Sequence, residues 1–316
     1  DFLKAQEVNL LDVRVDNSAQ PNSRWYSGSG ITRDVWLYRV KRDYILPYGL
    51  WVRVPRVSEK QALVRVETGF LVSEKSLPDR ESFEIETILY TPEGELLMSQ
   101  KDKAEQRETQ AGQDASLAQD FVLDSPLLWD IDTPYLYEVV ARLYRGGQPV
   151  DELRVRTGLR SIDFRADTGF WLNGRQCKIN GVCLHHDGGC VGAAVPPQIW
   201  ERRLKKLQEM GVNAIRMSHN PPDIALLDLC DEMGFLVMDE SFDEWRILKN
   251  KEAGSNTHES RGYSEWFETC HEEDLRTMVR RDRNHPSVIL WSIGNEIDYP
   301  NDPYCHPMFE TMTGNN

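Results

Sequence analysis

The sequence has no cysteine before residue 177 and no long apolar run. All six cysteines lie between Cys177 and Cys305, and their spacings match no zinc-binding template. A chain of 316 residues can bury a core without disulfides. We therefore interpret Cys183, Cys230 and Cys270, which have apolar neighbours, as small core residues. Because no stretch of about 18 apolar residues exists, the sequence predicts no membrane-spanning helix.

Positive charge is also in deficit, with 37 Lys and Arg against 51 Asp and Glu, for a net charge of −14. Such an acidic chain is not expected to bind nucleic acid, which requires a basic face for the phosphates. An initiator Met and a visible signal peptide are both missing, so the sequence leaves the cellular compartment open. The length and the hydrophobic content of 40% are typical of a globular protein with two or three domains.

Residues 1 to about 160 carry the signals of β structure. Alternating patterns and β-branched residues predict strands at 8–15, 31–40, 61–73, 82–90 and 135–145. Turn sequences such as Thr-Pro-Glu-Gly at 91–94 separate these strands. The spacing predicts an antiparallel sandwich of about a hundred residues, preceded by the tail of another β domain.

After residue 160 the pattern changes to alternating strands and helices. We predict strands at 176–184, 213–217, 235–238 and 287–293, and helices at 196–210, 221–233 and 264–283. This alternation predicts a parallel sheet covered by helices. A complete eight-stranded barrel takes about 250 residues, so we favour a barrel cut short over an open sheet of four strands.

The last predicted strand ends at Gly294 and then presents Asn295 and Glu296. A buried parallel strand meets solvent and substrate only at its carboxyl end. A carboxylate there can be tuned for proton transfer, and the neighbouring amide can hold a substrate hydroxyl. The alternative interpretation is a solvated Asn-Glu loop after an ordinary core strand.

Polar residues end the other predicted strands as well. His185 and His186 follow the first, Arg216 and His219 lie at the end of the second, and Asp-Glu at 239–240 ends the third. Parallel strands share one carboxyl edge, so these groups meet the Asn-Glu pair there. Leaving them buried without partners would cost several kcal/mol each, which indicates a polar site. We interpret His186 alone as a core residue with satisfied hydrogen bonds.

Several long motifs, in order along the chain, resemble glycoside hydrolase family 2. They are residues 25–36 (WYSGSGITRDVW), 211–221 (GVNAIRMSHNP) and 281–296 (RDRNHPSVILWSIGNE). Within the family, residues 181–187 (GVCLHHD) and 235–245 (FLVMDESFDEW) are most similar to β-galactosidases. β-Glucuronidases and β-mannosidases share the architecture, so the substrate is less firmly indicated than the family.

The resemblance implies a multidomain β and α/β fold with three parts. Residues 1–47 would be the end of a jelly-roll sugar-binding β-sandwich, and residues 48–158 an immunoglobulin-like β-sandwich. Residues 159–316 would be the first half of a (β/α)₈ TIM barrel. This agrees with the pattern above and implies that the chain is truncated at both ends.

The resemblance also implies roles for particular residues. Glu296 matches the family's general acid/base, and Asn295 the residue that binds the sugar 2-hydroxyl. Arg216 matches an arginine that supports the nucleophile. The substrate-binding matches are His185, His219 and Asp34, although Asp34 could instead form a surface ion pair with Arg33, and Arg216 a purely structural buried cation. We expect His285, before Pro286 at a strand entrance, to be structural.

The family's nucleophile comes from the seventh barrel strand, so we expect it beyond residue 316 and expect no turnover from this piece alone. Some β-galactosidases of the family bind Mg²⁺ through a Glu and a His two residues apart. Here Glu244 matches the Glu, but Arg246 replaces the His. A cation there disfavours a divalent metal, so we predict no metal and no cofactor.

The sequence therefore predicts a retaining hydrolase of terminal β-D-galactosides, with an oligosaccharide or glycoconjugate as its partner. β-Glucuronidase, β-mannosidase and a non-catalytic carbohydrate-binding or interaction module remain the alternatives. The exact linkage, the aglycone and homo-oligomerisation stay open.

Overall fold

A computed structural model describes residues 7–16, 18, 30–73, 82–104, 114–248 and 262–297. The first part of the 25–36 motif, part of the polar segment after residue 241 and the tail from residue 298 lie outside these ranges. Within them, no helix combines the length and the apolar character that crossing a bilayer requires.

The first domain consists of two antiparallel sheets packed face to face. One sheet, in the order β1-β2-β5, contains β1 (Tyr44–Val57), β2 (Gln61–Leu71) and β5 (Asp114–Asp124). The other, in the order β4-β3-β6-β7, contains β3 (Phe83–Tyr90), β4 (Leu96–Lys103), β6 (Tyr137–Arg145) and β7 (Gln148–Thr157). Every other residue of β2 is buried, as expected for a strand with one face on the core. The predicted strands at 61–73, 82–90 and 135–145, and the antiparallel sandwich, are confirmed.

Strand β1 was not predicted, and Pro47 interrupts its pattern. The pairing of β1 with β2 shifts register between Ile45 and Leu50, and Tyr48 within this bulge has a φ of 56°. Proline is tolerated in a sheet at such bulges because no ladder hydrogen bond is required of it there. At Gly49 an added Cβ would lie 2.6 Å from the carbonyl oxygen of Gly69, so only glycine lets the two strands approach.

The predicted strands at 8–15 and 31–40 are wrong. In the described residues both segments are exposed and belong to no sheet. A strand is stable only when its backbone groups pair with a neighbour, and an alternating sequence does not reveal whether that neighbour is present. β1 begins at Tyr44, before the boundary predicted at residue 48. The assignment of residues 1–47 to a jelly roll stays a prediction.

A small antiparallel meander connects the sandwich to the second domain. It contains β8 (Ile162–Arg165), β9 (Gly169–Leu172) and β10 (Arg175–Gln176). Phe170 and Leu172 pack with Trp129 and with residues at the amino-terminal ends of the following parallel strands. The meander therefore closes the end of the parallel sheet opposite its polar edge.

The second domain is a parallel sheet with helices on one face. Its strands, in spatial order, are β11 (Gly181–His185), β12 (Ala214–Ser218), β13 (Leu236–Glu240) and β14 (Val288–Ser292). Its helices are α1 (Pro197–Glu209), α2 (Ile224–Met233) and α3 (Phe267–Asp282). The last three predicted strands and all three helices are confirmed. The first strand starts at Gly181 instead of 176, because Gln176 pairs with β9.

Local sequence explains how these helices are placed. Asp223 caps α2 by accepting a hydrogen bond from the Ala225 N–H at 3.1 Å, and Gly234 ends it with a φ of 75°.

Cys230 is buried between helices and sheet, as predicted. The prediction that Cys183 is a core residue is wrong, because Cys183 is exposed. It pairs in register with Arg216, so it faces the side that the helices leave uncovered. Cys270 is half-buried.

The two domains are joined through residues 281–286, the RDRNHP part of the third motif. Asn284 pairs with β1 like a strand, donating to the Leu50 carbonyl at 2.7 Å and accepting from the Val52 N–H at 2.9 Å. Arg160 donates to the carbonyls of Pro286 and Val288. This part of the motif therefore builds the domain junction.

Candidate active site

Five of the six site residues predicted from the sequence lie at the carboxyl edge of the parallel sheet. His185 ends β11, Arg216 lies within β12, His219 follows β12, and Asn295 and Glu296 follow β14. The strand register places His185 beside Ser218, and Glu240 beside Ser292. The sheet geometry therefore brings together residues that are up to 111 positions apart in the chain.

The predicted residues contact one another. The imidazole rings of His185 and His219 meet edge to face, with their centroids 5.2 Å apart. Arg216 donates from Nη2 to Oδ1 of Asn295 at 2.9 Å. His219 and Asn295 are buried, so these contacts are shielded from solvent.

Glu240, the last residue of β13, holds this group of side chains together. Its fully buried carboxylate accepts hydrogen bonds from Arg216 Nε at 2.9 Å and Ser292 Oγ at 2.7 Å. His219 Nδ1 lies 2.6 Å from Glu240 Oε1. The sequence placed Glu240 at this edge but did not assign it to the site. The available signal was a carboxylate ending an apolar strand, next to an arginine on the neighbouring strand.

Arg216 is kept charged by this partner. Burial alone would lower the pKa of the Arg216 guanidinium, but the hydrogen bonds and the charge of Glu240 outweigh burial, so the pKa is raised. A guanidinium that binds a carboxylate with two nitrogens is held in a defined plane. Arg216 therefore presents a fixed positive donor to Asn295.

Asn295 is held from two sides. Its Oδ1 accepts from Arg216, and its Nδ2 donates to Oδ1 of Asp243 at 2.9 Å. Its backbone N–H also donates to the carbonyl of Phe242 at 2.9 Å. The side chain that we predicted to bind a sugar hydroxyl is therefore rigidly positioned.

Glu296 follows Asn295 at the rim and is exposed. Its φ of 47° lies in the left-handed region, which is uncommon for residues other than glycine. Such conformations persist where the surrounding structure enforces them, and they concentrate at functional sites. The loop after β14 thus leaves the Glu296 carboxyl accessible beside a buried, fixed amide.

The structure does not bring Asp34 into this contact network. Within the described part of the chain, the exposed Asp34 has no hydrogen bond to any of the other five residues. Its neighbour Arg33, however, donates to the carbonyl of Pro222 at 3.2 Å, in the loop that follows His219. Arg33 therefore lies beside the loop that follows β12, and a role for Asp34 in sugar binding stays a prediction.

His285 has the structural surroundings that we expected, whereas His186 is half-buried instead of lying in the core, although protein contacts hold its ring. His186 packs against Trp200, with ring centroids 5.3 Å apart, and its Nε2 lies 3.0 Å from the Ala193 carbonyl oxygen. Burial and the charge of Arg33 lower the pKa of His186. His285 pairs with Asp231 at 2.6 Å, at the entrance of β14 and away from the rim.

The residues at the predicted position of the metal site already have protein partners. Glu244 is buried and accepts from the Ser264 N–H at 3.1 Å. Arg246 forms an ion pair with Glu268. The Arg246 guanidinium would repel a divalent cation. This charge is the reason for predicting that the site holds no metal, which stays a prediction.

A second group of possible ligands lies at the domain junction. Asp228, Asp231 and His285 place one ligand atom each within 4.8 Å of one another. Arg156 lies 3.8 Å from Asp228, and Asp231 is paired with His285. We interpret this group as an ion-pair network of the junction.

The geometry at the rim is suited to a ligand with many hydroxyl groups. An accessible carboxyl, a fixed carboxamide and two imidazoles converge on one edge, supported by a buried ion pair. Such groups can donate and accept several hydrogen bonds and can transfer a proton.

Two family models match the chain consecutively. Residues 48–160 match glycosyl hydrolases family 2, and residues 165–313 match the TIM barrel domain of the same family. Together these matches span most of the 316 residues. The chain belongs to glycoside hydrolase family 2. Its fold is that family's immunoglobulin-like sandwich followed by part of its TIM barrel.

Relatives within family 2 agree with this assignment. The β-galactosidase BoGH2A of Bacteroides ovatus is 47% identical over 94% of this chain and 33% of its own length. A crystal structure of a family 2 member from Bacteroides cellulosilyticus superposes with a TM-score of 0.82 at 36% identity, over 93% of this chain and 36% of that one. The crystal structure of a β-glucuronidase from Bacteroides uniformis superposes with a TM-score of 0.72 at 30% identity, over 95% of this chain and 35% of that one. The chain spans about a third of the length of these relatives.

Proposed function

We propose that the protein is a retaining β-glycosidase that removes terminal β-D-galactosyl residues, with Glu296 as its general acid/base. The observation that carries this proposal is the accessible Glu296 carboxyl directly beside the buried, doubly held amide of Asn295. An acid/base must reach the glycosidic oxygen, whereas a residue that binds the neighbouring hydroxyl must stay fixed.

In a retaining mechanism two carboxyl groups lie about 5–5.5 Å apart and act in turn. Glu296 would first protonate the leaving oxygen while a second carboxylate attacks the anomeric carbon. The resulting glycosyl-enzyme would then be hydrolysed by a water that Glu296 deprotonates. We expect the second carboxylate from a later strand of the barrel.

The other side chains of the edge receive supporting roles in this proposal. Asn295 would bind the 2-hydroxyl, and His185 and His219 would line the sugar subsite. Asp34 would approach the sugar from its position next to Arg33. Arg216 would support the nucleophile, and this role is supported by its hydrogen bonds to Glu240 and Asn295, which fix its guanidinium.

Two sugars are supported to different extents. The 47% identity to BoGH2A favours a galactoside. The 30% identity to the β-glucuronidase of B. uniformis makes a glucuronide the second candidate. The two sugars differ in the configuration at carbon 4 and in the carboxylate that the glucuronide carries at carbon 6, and this carboxylate would require cationic groups facing it.

The test is turnover of aryl β-galactoside, β-glucuronide and β-mannoside by the full-length gene product and by its Glu296→Gln variant. We expect galactoside hydrolysis, and a loss of about 10²- to 10⁴-fold in the variant because proton transfer is removed. The loss should be larger for poor leaving groups, which depend more on protonation.

The matched control is Glu209→Gln, at the exposed end of α1, which should retain full activity. Preference for the glucuronide would replace the proposed sugar but keep the mechanism. Absence of turnover with all three sugars, together with sugar binding, would instead indicate a non-catalytic carbohydrate-binding protein.

A further inference from the structure

The loops after β13 and β14 are bound to each other along their length. The Ser241 N–H donates to the Ser292 carbonyl at 3.1 Å, and the Asn295 N–H donates to the Phe242 carbonyl at 2.9 Å. Trp245 donates from its indole to the Ile293 carbonyl at 2.8 Å. The loop of residues 293–296 therefore packs directly on the loop of residues 241–245, and these hydrogen bonds hold it there.

Gly294 shows how close this contact is. An added Cβ at Gly294 would lie 2.7 Å from the indole nitrogen of Trp245. Trp245 is itself buried against Phe242 and Phe267, so it cannot move away without disturbing that cluster. The path of the chain toward Glu296 is thus set by the segment after β13.

Besides these contacts, which all use a backbone carbonyl, the two loops are joined by a hydrogen bond between two side chains. Asp243, which is half-buried, accepts a hydrogen bond from Asn295 Nδ2 at 2.9 Å. On the other side Arg216 donates to Asn295 Oδ1 at 2.9 Å. A guanidinium only donates and a carboxylate only accepts. The two partners therefore permit one orientation of the Asn295 amide.

A flipped Asn295 would place its NH₂ against the Arg216 guanidinium and its oxygen against the Asp243 carboxylate. Both contacts would be repulsive, and Asn295 is only 2% exposed, so water could not replace them readily. Without Asp243, only Arg216 would distinguish the two orientations of the Asn295 amide. The buried Asn295 Nδ2 would also lose the hydrogen bond that Asp243 accepts.

We propose that Asp243 is a positioning residue that fixes the orientation of the Asn295 carboxamide. This inference rests on the proposed function for its catalytic consequence. Asp243 acts through Asn295 on the sugar 2-hydroxyl and does not itself touch the reacting atoms.

The kinetic test compares Asp243→Ala and Asp243→Asn in the full-length gene product. The substrates are an aryl β-galactoside and its 2-deoxy analogue. We expect Asp243→Ala to lower kcat/KM for the galactoside about 10- to 100-fold and to affect the 2-deoxy substrate much less. Asp243→Asn should recover most of the activity, because its amide oxygen can still accept the Asn295 hydrogen bond. An equal loss on both substrates, or no loss, would overturn the proposal.

A second measurement does not depend on turnover. In the 316-residue chain, the side-chain NH₂ of Asn295 can be assigned by NMR from the signal that disappears in Asn295→Asp. We expect its exchange with solvent to be slow in the wild type, fast in Asp243→Ala and slow again in Asp243→Asn. Slow exchange in the alanine variant would contradict the positioning role. If exchange follows this prediction but no glycoside is hydrolysed, the proposed function fails and the positioning of Asn295 stands.

Discussion

The Glu240 carboxylate is the point at which three side chains of the site are anchored. Arg216, His219 and Ser292 all bind it, and no part of it is exposed. A buried ion pair contributes little relative to an apolar pair of the same shape, but removing one partner leaves an uncompensated charge. The main effect of the Glu240–Arg216 pair is on geometry, because it fixes the guanidinium that in turn binds Asn295.

We therefore predict that Glu240→Gln destabilises the chain by about 2 kcal/mol, because the variant removes the counter-charge of the Arg216 guanidinium, which solvent screens only in part. Urea unfolding at neutral pH measures this difference. The matched control is Asp120→Asn, which breaks an exposed pair in which Arg65 binds Asp120 at 2.7 and 2.6 Å. Exposed pairs are worth less than about 1 kcal/mol. Equal losses in the two variants would show that the burial of Glu240 carries no energetic weight.

At the scale of elements, the sequence predicted those parts whose signals are local. Helices α1 and α2 end at glycines, and strands β2 and β14 carry regular patterns, so their limits were predicted within a few residues. β1 was missed because a bulge holds Pro47, and strands were predicted at 8–15 and 31–40 although neither segment pairs with a neighbour in the described residues. Pairing depends on distant residues, which a local pattern does not record.

The site shows the same division. Glu296, Asn295 and His219 were found because each follows an apolar strand, and the shared edge of parallel strands brings them together. Glu240 and Asp243 were not assigned, because their importance comes from contacts across strands. Only the structure shows that Glu240 lies opposite Ser292 and that Asp243 reaches Asn295.

Strand β13 and helix α3 are joined by a carboxyl pair behind the site. Asp239 and Asp282 are both fully buried, and Arg281 binds the two oxygens of Asp282 at 2.6 Å each. Burial and then the charge of Asp282 raise the pKa of Asp239 to about 8. A carboxyl group with a pKa of about 8 is protonated at neutral pH, so Asp239 holds a proton there.

This pair makes stability depend on pH with a definite sign. Since the pKa of Asp239 is raised by folding, the stability it contributes is complete below its ordinary value of 3.8 and is lost as the pH rises through about 8. Asp239→Asn replaces the proton with an amide N–H. We predict that its free energy of unfolding falls less between pH 4 and 8 than that of the wild type, as measured by urea titrations across this range. Parallel curves for wild type and Asp239→Asn would refute the protonation of Asp239 in the folded chain. The control Asp163→Asn, on exposed β8, should follow the wild type.

At the scale of the whole molecule, the two domains meet around the ion pair of His285 and Asp231. Trp129 of the first domain donates from its indole to the Asp231 carbonyl at 2.9 Å, and the Ser287 N–H donates to the Asp231 carboxylate at 3.1 Å. At Gly158 an added Cβ would lie 2.9 Å from Pro286 and 2.5 Å from Trp129. The junction is therefore closely packed around a titratable group.

His285 faces Asp231, Asp228 and Asp282, and Arg156 lies on the far side, paired with Asp228 and Glu232. Burial by itself would lower the pKa of His285, but the charge and hydrogen bond of Asp231 and the two further carboxylates outweigh it and raise the pKa above 6.5. The stability that protonated His285 contributes is therefore complete below pH 6.5 and is lost as the pH rises through the raised value.

We predict that His285→Gln, which cannot titrate, removes this loss of stability above pH 6.5. Thermal unfolding from pH 5 to 9 should show the melting temperatures of wild type and variant converging as the pH rises, with the wild type more stable at the acidic end. The control His271→Gln changes a histidine on α3 that bonds within its own helix, to the Phe267 carbonyl. The melting temperature of this variant should change with pH as that of the wild type does. If His285→Gln instead lowers the melting temperature equally at every pH, the histidine serves the junction by its shape alone, and its charge is not what joins the two domains.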